Sequence, residues 1–240
     1  MRESVRSILL TAVVALVLTP VTIFAAFSIG NRSYYLASVL IIMYAIVPFF
    51  VSFEQARPTA KELSLLAMMC VITMASRIIF IWLPFFKPMG AFVVIAGIAF
   101  GPRSGFMVGA FSMFASNFIF GQGPWTPWQM FAFGLLGFLA GLLARVGVIP
   151  RKNLGTGARI AVSIGIGIVI VALIGPILDT CSLFLFSTDI TPETVVAIYG
   201  AGLLPNAIQA AGSSVTFLLI GNASLDKLSR VSTKFGIDAG

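Results

Sequence analysis

Apolar runs too long for an ordinary soluble helix, separated by short basic loops, decide what this chain can fold into. Ile8–Ser28, Tyr35–Phe53, Ala91–Phe100, Phe106–Phe120, Ile160–Leu178 and Val195–Gly221 hold no charged residue, and Leu63–Leu83 and Trp128–Val148 hold only Arg77 and Arg145. A helix needs about 20 apolar residues to cross a hydrocarbon core about 30 Å thick. Composition points the same way: 59% of residues are hydrophobic and 10% charged, against roughly 45–50% and about 25% in soluble domains. Lipid-facing barrel strands alternate apolar and polar residues, and these runs do not. The expected fold is an all-α integral membrane protein with eight helices. Ala91–Phe100 is shorter than a full span and joins the next helix through Gly101-Pro102-Arg103-Ser104-Gly105, a turn built of helix breakers.

Orientation follows from the basic residues, because cytoplasmic loops carry the excess of lysine and arginine. Arg2 and Arg6 precede the first run. Arg57 and Lys61 follow the second, Arg103 sits in the breaker turn, Arg145, Arg151, Lys152 and Arg159 surround the sixth loop, and Lys227, Arg230 and Lys234 follow the last run. The alternate loops hold Arg32 and Lys87, with Asp179, Asp189 and Glu193 between the last two runs. Both termini are therefore expected in the cytoplasm of a bacterial or archaeal cell. Ile8–Ser28 has the basic start of a signal peptide and small residues at Ala25 and Ala26. It is longer than a usual h-region and lacks an A-x-A site, so a spanning helix is the expectation.

The net charge of +7 lies in these loops and reflects membrane orientation, so nucleic acid is not an expected partner. The chain has no histidine, which removes the commonest general base and transition-metal ligand. Cys70 and Cys181 are far apart and are expected on different levels of the membrane, so neither a disulfide nor a metal centre is expected. No H-E-x-x-H, G-x-S-x-G or phosphate-binding G-x-x-x-x-G-K-[ST] occurs. No catalytic set and no cofactor are expected, and ATP must be used by a partner if the chain transports. Glycines spaced by four, Gly97/Gly101, Gly105/Gly109 and Gly137/Gly141, are expected to let helix backbones approach closely. Ala67, Val71 and Ala75 form a low-relief stripe able to dock another protein's helix.

Two loops opposite the basic ones are aromatic and rich in proline. One reads Trp82-Leu83-Pro84-Phe85-Phe86-Lys87-Pro88 and the other Gly121-Gln122-Gly123-Pro124-Trp125-Thr126-Pro127-Trp128-Gln129. Tryptophan at this level often anchors a helix among lipid headgroups, and Trp82 fits that role. Around Trp125 and Trp128 the glycines, prolines and amides suggest instead a stiff aromatic platform for a largely neutral organic ligand. Arg77 is expected to face the bundle interior, since an arginine in lipid is costly. It would serve as a ligand contact, as half of an ion pair with Asp179, or as both. Asn206 and Gln209 interrupt the apolar surface of the last helix, beside Pro205. They are read as interhelical glue or as pocket lining. The candidate binding set is Arg77, Phe86, Lys87, Asn117, Gln122, Trp125, Trp128, Gln129, Asp179, Asn206 and Gln209.

The stretch from Ala60 to about Leu143 resembles the substrate-binding membrane subunits (S components) of energy-coupling factor (ECF) vitamin transporters. The resemblance is carried by Ala75-Ser76-Arg77, Phe86-Lys87-Pro88, Gly101–Phe106, Ser116-Asn117-Phe118, Phe120–Met130 and Gly134-Leu135-Leu136-Gly137. It implies a six-helix binding core over residues 58–228, preceded by a two-helix membrane extension at 1–57 and followed by a cytoplasmic tail at 229–240. It also implies a vitamin held under the loops Pro84–Pro88, Gly121–Trp128 and Thr180–Thr194. The implied partners are a membrane scaffold subunit, docked on Ala67, Val71 and Ala75, and two cytoplasmic ATPases that drive uptake. The tryptophan-bearing loop suggests the cobalamin or corrinoid subgroup. An S component for another vitamin or a nucleobase-like ligand is the nearest alternative, and an intramembrane enzyme using Arg77, Asp179 and Asn206 is the alternative of a different class.

Overall fold

The computed structural model describes Val21, residues 33–187 and residues 189–235; the expected helix Ile8–Ser28 lies outside these stretches. The described chain is helical: α1 (Ser33–Gln55), α2 (Ala60–Ile79), α3 (Met89–Phe100), α4 (Pro102–Phe120), α5 (Trp125–Arg145), α6 (Thr156–Val169), α7 (Gly175–Phe186) and α8 (Pro192–Phe235). A π-helical turn, Ile170–Ile174, joins α6 and α7 into one rod. Among the described residues, five stretches are long and apolar enough to cross a membrane: Leu36–Gln55, Ala60–Ile79, Trp125–Arg145, Thr156–Phe186 and Pro192–Lys234.

α3 is the centre of the bundle. Of its 12 residues, all but Phe92 and Ala99 are buried, and α2, α4, α5, α6 and α8 all pack against it. At about 18 Å it falls short of a full span, as expected, and it has almost no lipid face. Its end is dictated locally. Gly101 has φ 89°, a left-handed backbone that disfavours other residues. Pro102 then opens α4 at a position where its missing N–H costs nothing.

The expected glycine contacts form. A methyl group added at Gly97 or Gly105 would run into the carbonyl oxygen of Gly137, and one at Gly137 into that of Gly105. Added at Gly109 it would meet the backbone of Phe133, and at Gly141 that of Gly101 and Pro102. Backbone therefore meets backbone along α3, α4 and α5, where dispersion is the main attraction between helices in lipid.

Two long elements differ from the expected boundaries. The rod expected to stop at Leu178 continues to Phe186. Thr180 and Ser182 return their hydroxyls to the carbonyls of Pro176 and Leu178, at 2.7 and 3.2 Å, so polar residues do not break the helix here. The widened π turn falls immediately before Pro176, whose ring cannot fit an ordinary α turn. The last helix passes through Pro205 and continues to Phe235, beyond the expected end of its apolar run at Gly221. Its buried stripe, Asn206, Ala210, Ser213, Phe217, Gly221, Leu225 and Leu228, steps by three and four, which keeps one face on the core.

α1 packs on α4, α5 and α7. Phe49 stacks on the fully buried Phe106 at 3.9 Å and meets Phe138 edge-on at 5.2 Å. Cys70 and Cys181 are both free. The up-and-down course of the helices gathers Arg57, Lys61, Arg103, Arg145, Arg151, Lys152, Arg159, Lys227, Arg230 and Lys234 at one end of the bundle. Residues 80–88, 121–124, 187 and 189–191 lie in the connections at the other end.

Candidate functional site

At the less basic end, the last turns of α2 and α4 face the first turn of α5. Arg77 lies on the inward side of α2, near the buried Thr73 and Ser76. Its Nη1 donates to Ser116 Oγ at 2.5 Å and to Asn117 Oδ1 at 2.8 Å, and lies 3.9 Å from the Met113 sulfur. The guanidinium carbon sits 4.2 Å from the centre of the Phe120 ring. Neutral acceptors and an aromatic face thus hold the cation, which spreads its charge without a carboxylate.

The expected pair between Arg77 and Asp179 is not formed. Asp179 projects from α7 toward α8, where it accepts from Asn206 Nδ2 at 2.9 Å. Gly202 and Gly175 leave room for this pair: a methyl at Gly202 would strike the Asp179 carboxylate, and one at Gly175 the Asn206 amide. At the next residue of α7, Thr180 Oγ1 and the Tyr199 hydroxyl are 2.6 Å apart. These contacts form a second polar group, on α7 and α8, separate from that of Arg77.

From Asn117 the first network continues into the loop. Asn117 Nδ2 donates to Thr126 Oγ1 at 3.0 Å and Gln129 Oε1 at 2.8 Å. Thr126 donates to Gln122 Oε1 at 2.9 Å and accepts from the Gly123 amide at 3.3 Å. Gln122 Nε2 donates to the Phe114 carbonyl at 2.9 Å. The chain turns sharply at Gly121, φ 100°, and Trp125 closes the turn. Its Nε1 donates to the Gly121 carbonyl at 3.3 Å, and its ring lies against Gly123 so closely that a side chain there would collide. Thr126, Ser116 and Phe120 act as hub, acceptor and aromatic seat, roles that sequence reading did not assign. Their signal was present: a buried cation in one helix calls for acceptors on its neighbours, which Ser116-Asn117 supplies, and Thr126-x-x-Gln129 supplies partners for Asn117 one turn apart.

Of the two tryptophans expected to form a platform, Trp125 is half-buried, whereas Trp128 is buried. Trp128 belongs to the apolar cluster of Ile42, Ile46, Phe106 and Cys181, with Phe184 at 6.2 Å. It therefore packs α5 against α1 and α7.

Loop 80–88 is fastened from two sides. Lys87 Nζ donates to the carbonyls of Phe80 and Leu83 at 2.6 and 2.9 Å, tying the loop to the C-cap residue of α2. Burial and the nearby charge of Arg77 hold the Lys87 ammonium below the usual lysine range. Phe86 meets Phe80 edge-on at 5.2 Å and presses on Gly212 of α8. Between them Phe85 is held at φ 59°, a conformation that costs of order 1–3 kcal/mol and persists only when its surroundings enforce it. Gln209, one turn from Asn206 and from Gly212, is half-buried and has no hydrogen-bond partner among the described residues. On the outer face of α2, Ala67 and Val71 are exposed and Ala75 is half-buried.

An all-helical, multi-pass membrane bundle, with a polar and aromatic cluster at one end and most cations of the described residues at the other, defines the class of the protein. The family model "ECF-type riboflavin transporter, S component" matches residues 59–226, which takes in the bundle from α2 through most of α8. The chain belongs to this family, and α1 lies outside the match. The family's description names riboflavin, and lends no support to the corrinoid subgroup suggested by the tryptophan loop. No solved structure matches the chain.

Proposed function

We propose that this protein is the substrate-binding subunit of an ATP-driven vitamin importer, with no catalytic activity of its own. Riboflavin is the ligand to test first, ahead of cobalamin. The observation that carries the reading is the family match across the whole core, joined to the organisation of the less basic end. Arg77, Lys87, Asn117, Gln122, Gln129 and the unpartnered Gln209 supply donors and acceptors, while Phe86 and Trp125 supply aromatic surface. A flavin asks for this mixture, being a flat heteroaromatic ring with amide edges and a neutral hydroxylated chain. Asp179 and Asn206 would contact such a ligand from α7 and α8, and Trp128 would act through the packing beneath the loop. By the positive-inside rule the ligand end would face outside the cell and both termini inside.

The importer reading requires a scaffold subunit and two ATPases, since no ATP-binding motif occurs in the chain. The exposed Ala67 and Val71, with Ala75 behind them, leave α2 a smooth strip on which a scaffold helix would pack. The test is gentle purification of the tagged chain from its native membrane, followed by mass spectrometry of retained small molecules and partners. A retained flavin together with co-purified scaffold and ATPase subunits is the expected result. Retained cobalamin would restore the corrinoid assignment, and the absence of both partners would remove the importer reading.

A further inference from the structure

α1 lies outside the family match, yet it is seated as a core helix. Ser38, Ile42 and Ile46 are buried and Phe49 and Phe53 half-buried, at steps of three and four that keep one face inward. Leu36, Leu40, Met43 and Val47 are exposed on the other side. Ile42 and Ile46 enter the apolar cluster that encloses Trp128 of α5 and Cys181 of α7. Phe49 lies flat on Phe106 of α4, the two planes 2° apart. Phe106 in turn rests so closely on Gly134 of α5 that a methyl group there would strike its ring. α1 thus ties α4, α5 and α7 together from one side.

That tie acts where the closest packing gives out. Among the described residues, the outermost glycine crossing of α4 on α5 sets Gly109 on Phe133. It stops short of Asn117 and of Trp125 by about 12 Å of helix. Beyond it, Asn117 of α4 still has to meet Thr126 and Gln129 on the first turn of α5. Trp128 belongs to that same turn, and its ring is buried in the cluster that α1 completes. A helical turn moves as a unit, so holding Trp128 also aims Thr126 and Gln129. We propose that α1 is a positioning element of the site. Ile42, Ile46 and Phe49 hold the first turn of α5 against α4, so the Asn117–Thr126–Gln129 network and loop 121–124 are formed before a ligand arrives. None of the three belongs to the polar network itself. A site formed in only a fraction of molecules binds more weakly by that fraction, so α1 raises the affinity. That the ligand is a flavin rests on the function proposed above, whereas the hold of α1 on the loop does not.

The test uses the full-length protein in detergent, first without ligand. Hydrogen exchange read by mass spectrometry follows the Gly123 and Thr126 amides, both hydrogen-bonded within the loop at 3.3 and 2.9 Å. Ile42→Ala is expected to remove most of their protection through local opening. Phe49→Leu, a milder change, is expected to fall between Ile42→Ala and the wild type. Ile42→Val, which keeps most of the side chain, is expected to behave as the wild type. Leu225→Ala removes a comparable side chain from the core near the basic end. It is expected to lower the melting temperature and leave the loop protected. Riboflavin affinity is expected to fall about fivefold in Ile42→Ala, as when about a fifth of molecules hold the site formed, and to stay unchanged in Ile42→Val and Leu225→Ala. Loop protection unchanged in Ile42→Ala and Phe49→Leu, or lost equally in Leu225→Ala, would overturn the proposal. So would riboflavin bound as tightly by Ile42→Ala as by the wild type. A wild type that leaves riboflavin free would remove the flavin reading instead, and the exchange data alone would then decide the role of α1.

Discussion

Arg77 shows how a membrane protein keeps a charge inside a helix bundle. Ser116 and Asn117 bond to it from α4 and Phe120 offers its ring, so the cation is held without the desolvation of a second charge. Asn117 is the pivot, because its carbonyl serves Arg77 while its amide serves Thr126 and Gln129. Asn117→Asp keeps the acceptor and removes both donors. It is expected to cost about 1–3 kcal/mol, the penalty for leaving buried partners unsatisfied, and to loosen the Gly121–Pro124 loop. Thermal unfolding in detergent and proteolysis at the loop measure this; wild-type behaviour in both would mean that the network does not hold the loop. Lys87 gives a pH test. Its folded-state pKa is lowered, so the protonated form opposes folding. Stability should therefore rise as pH climbs through the lowered value, with the gain complete near the ordinary lysine value of about 10.4. Melting temperatures of the wild type and Lys87→Gln at about pH 8 and about pH 10.5 should show a rise specific to the wild type. The residue types of the site were legible in the sequence, but their partners were not. Asp179 was the obvious counter-charge for Arg77, and only the adjacency of α2 to α4 explains why Ser116 and Asn117 take that place.

At the level of elements, the α3–α4–α5 unit depends on glycine at every crossing. A methyl at Gly137 would meet the carbonyl carbon and oxygen of Gly105 and the Val93 side chain, and backbone cannot step aside as a flexible side chain can. Gly137→Ala is expected to destabilise the protein by at least about 1–3 kcal/mol, the usual range for overpacking, read as a lower melting temperature. Gly165→Ala, in open space on α6, should be neutral or slightly stabilising, as helix propensity favours alanine. Equal effects of the two would show that the close crossings do not govern stability. The described helices, the short α3 and the glycine contacts were legible, because apolar run length, Gly101-Pro102 and four-residue spacing are local signals. The π turn and the ends of α7 and α8 were not. A π turn has no period of its own in sequence, and Thr180 and Ser182 look like loop residues until their hydroxyls are seen bonded within the helix.

Across the whole molecule, the cations and the polar-aromatic network divide between two ends. Cations gather where α2, α4 and α6 begin and α5 and α8 end, while the amide and aromatic network occupies the opposite loops. That division was the most legible property of the sequence, since short loops between spanning helices must alternate sides. It predicts that a cysteine placed at the exposed Gln122 reacts with a membrane-impermeant reagent added to intact cells, whereas one at Lys152 does so only after the membrane is opened; the reverse pattern would invert the direction of transport.

The proposed function requires the Arg77–Asn117–Gln129 end to hold a flavin. Titrating purified protein with riboflavin and following the flavin fluorescence tests it directly. Saturable one-to-one binding at about micromolar affinity or tighter, weakened about tenfold or more in Arg77→Met and Trp125→Ala as lost anchors would require, is the predicted result. A wild-type protein that leaves riboflavin free, or variants that bind it as the wild type does, would contradict it.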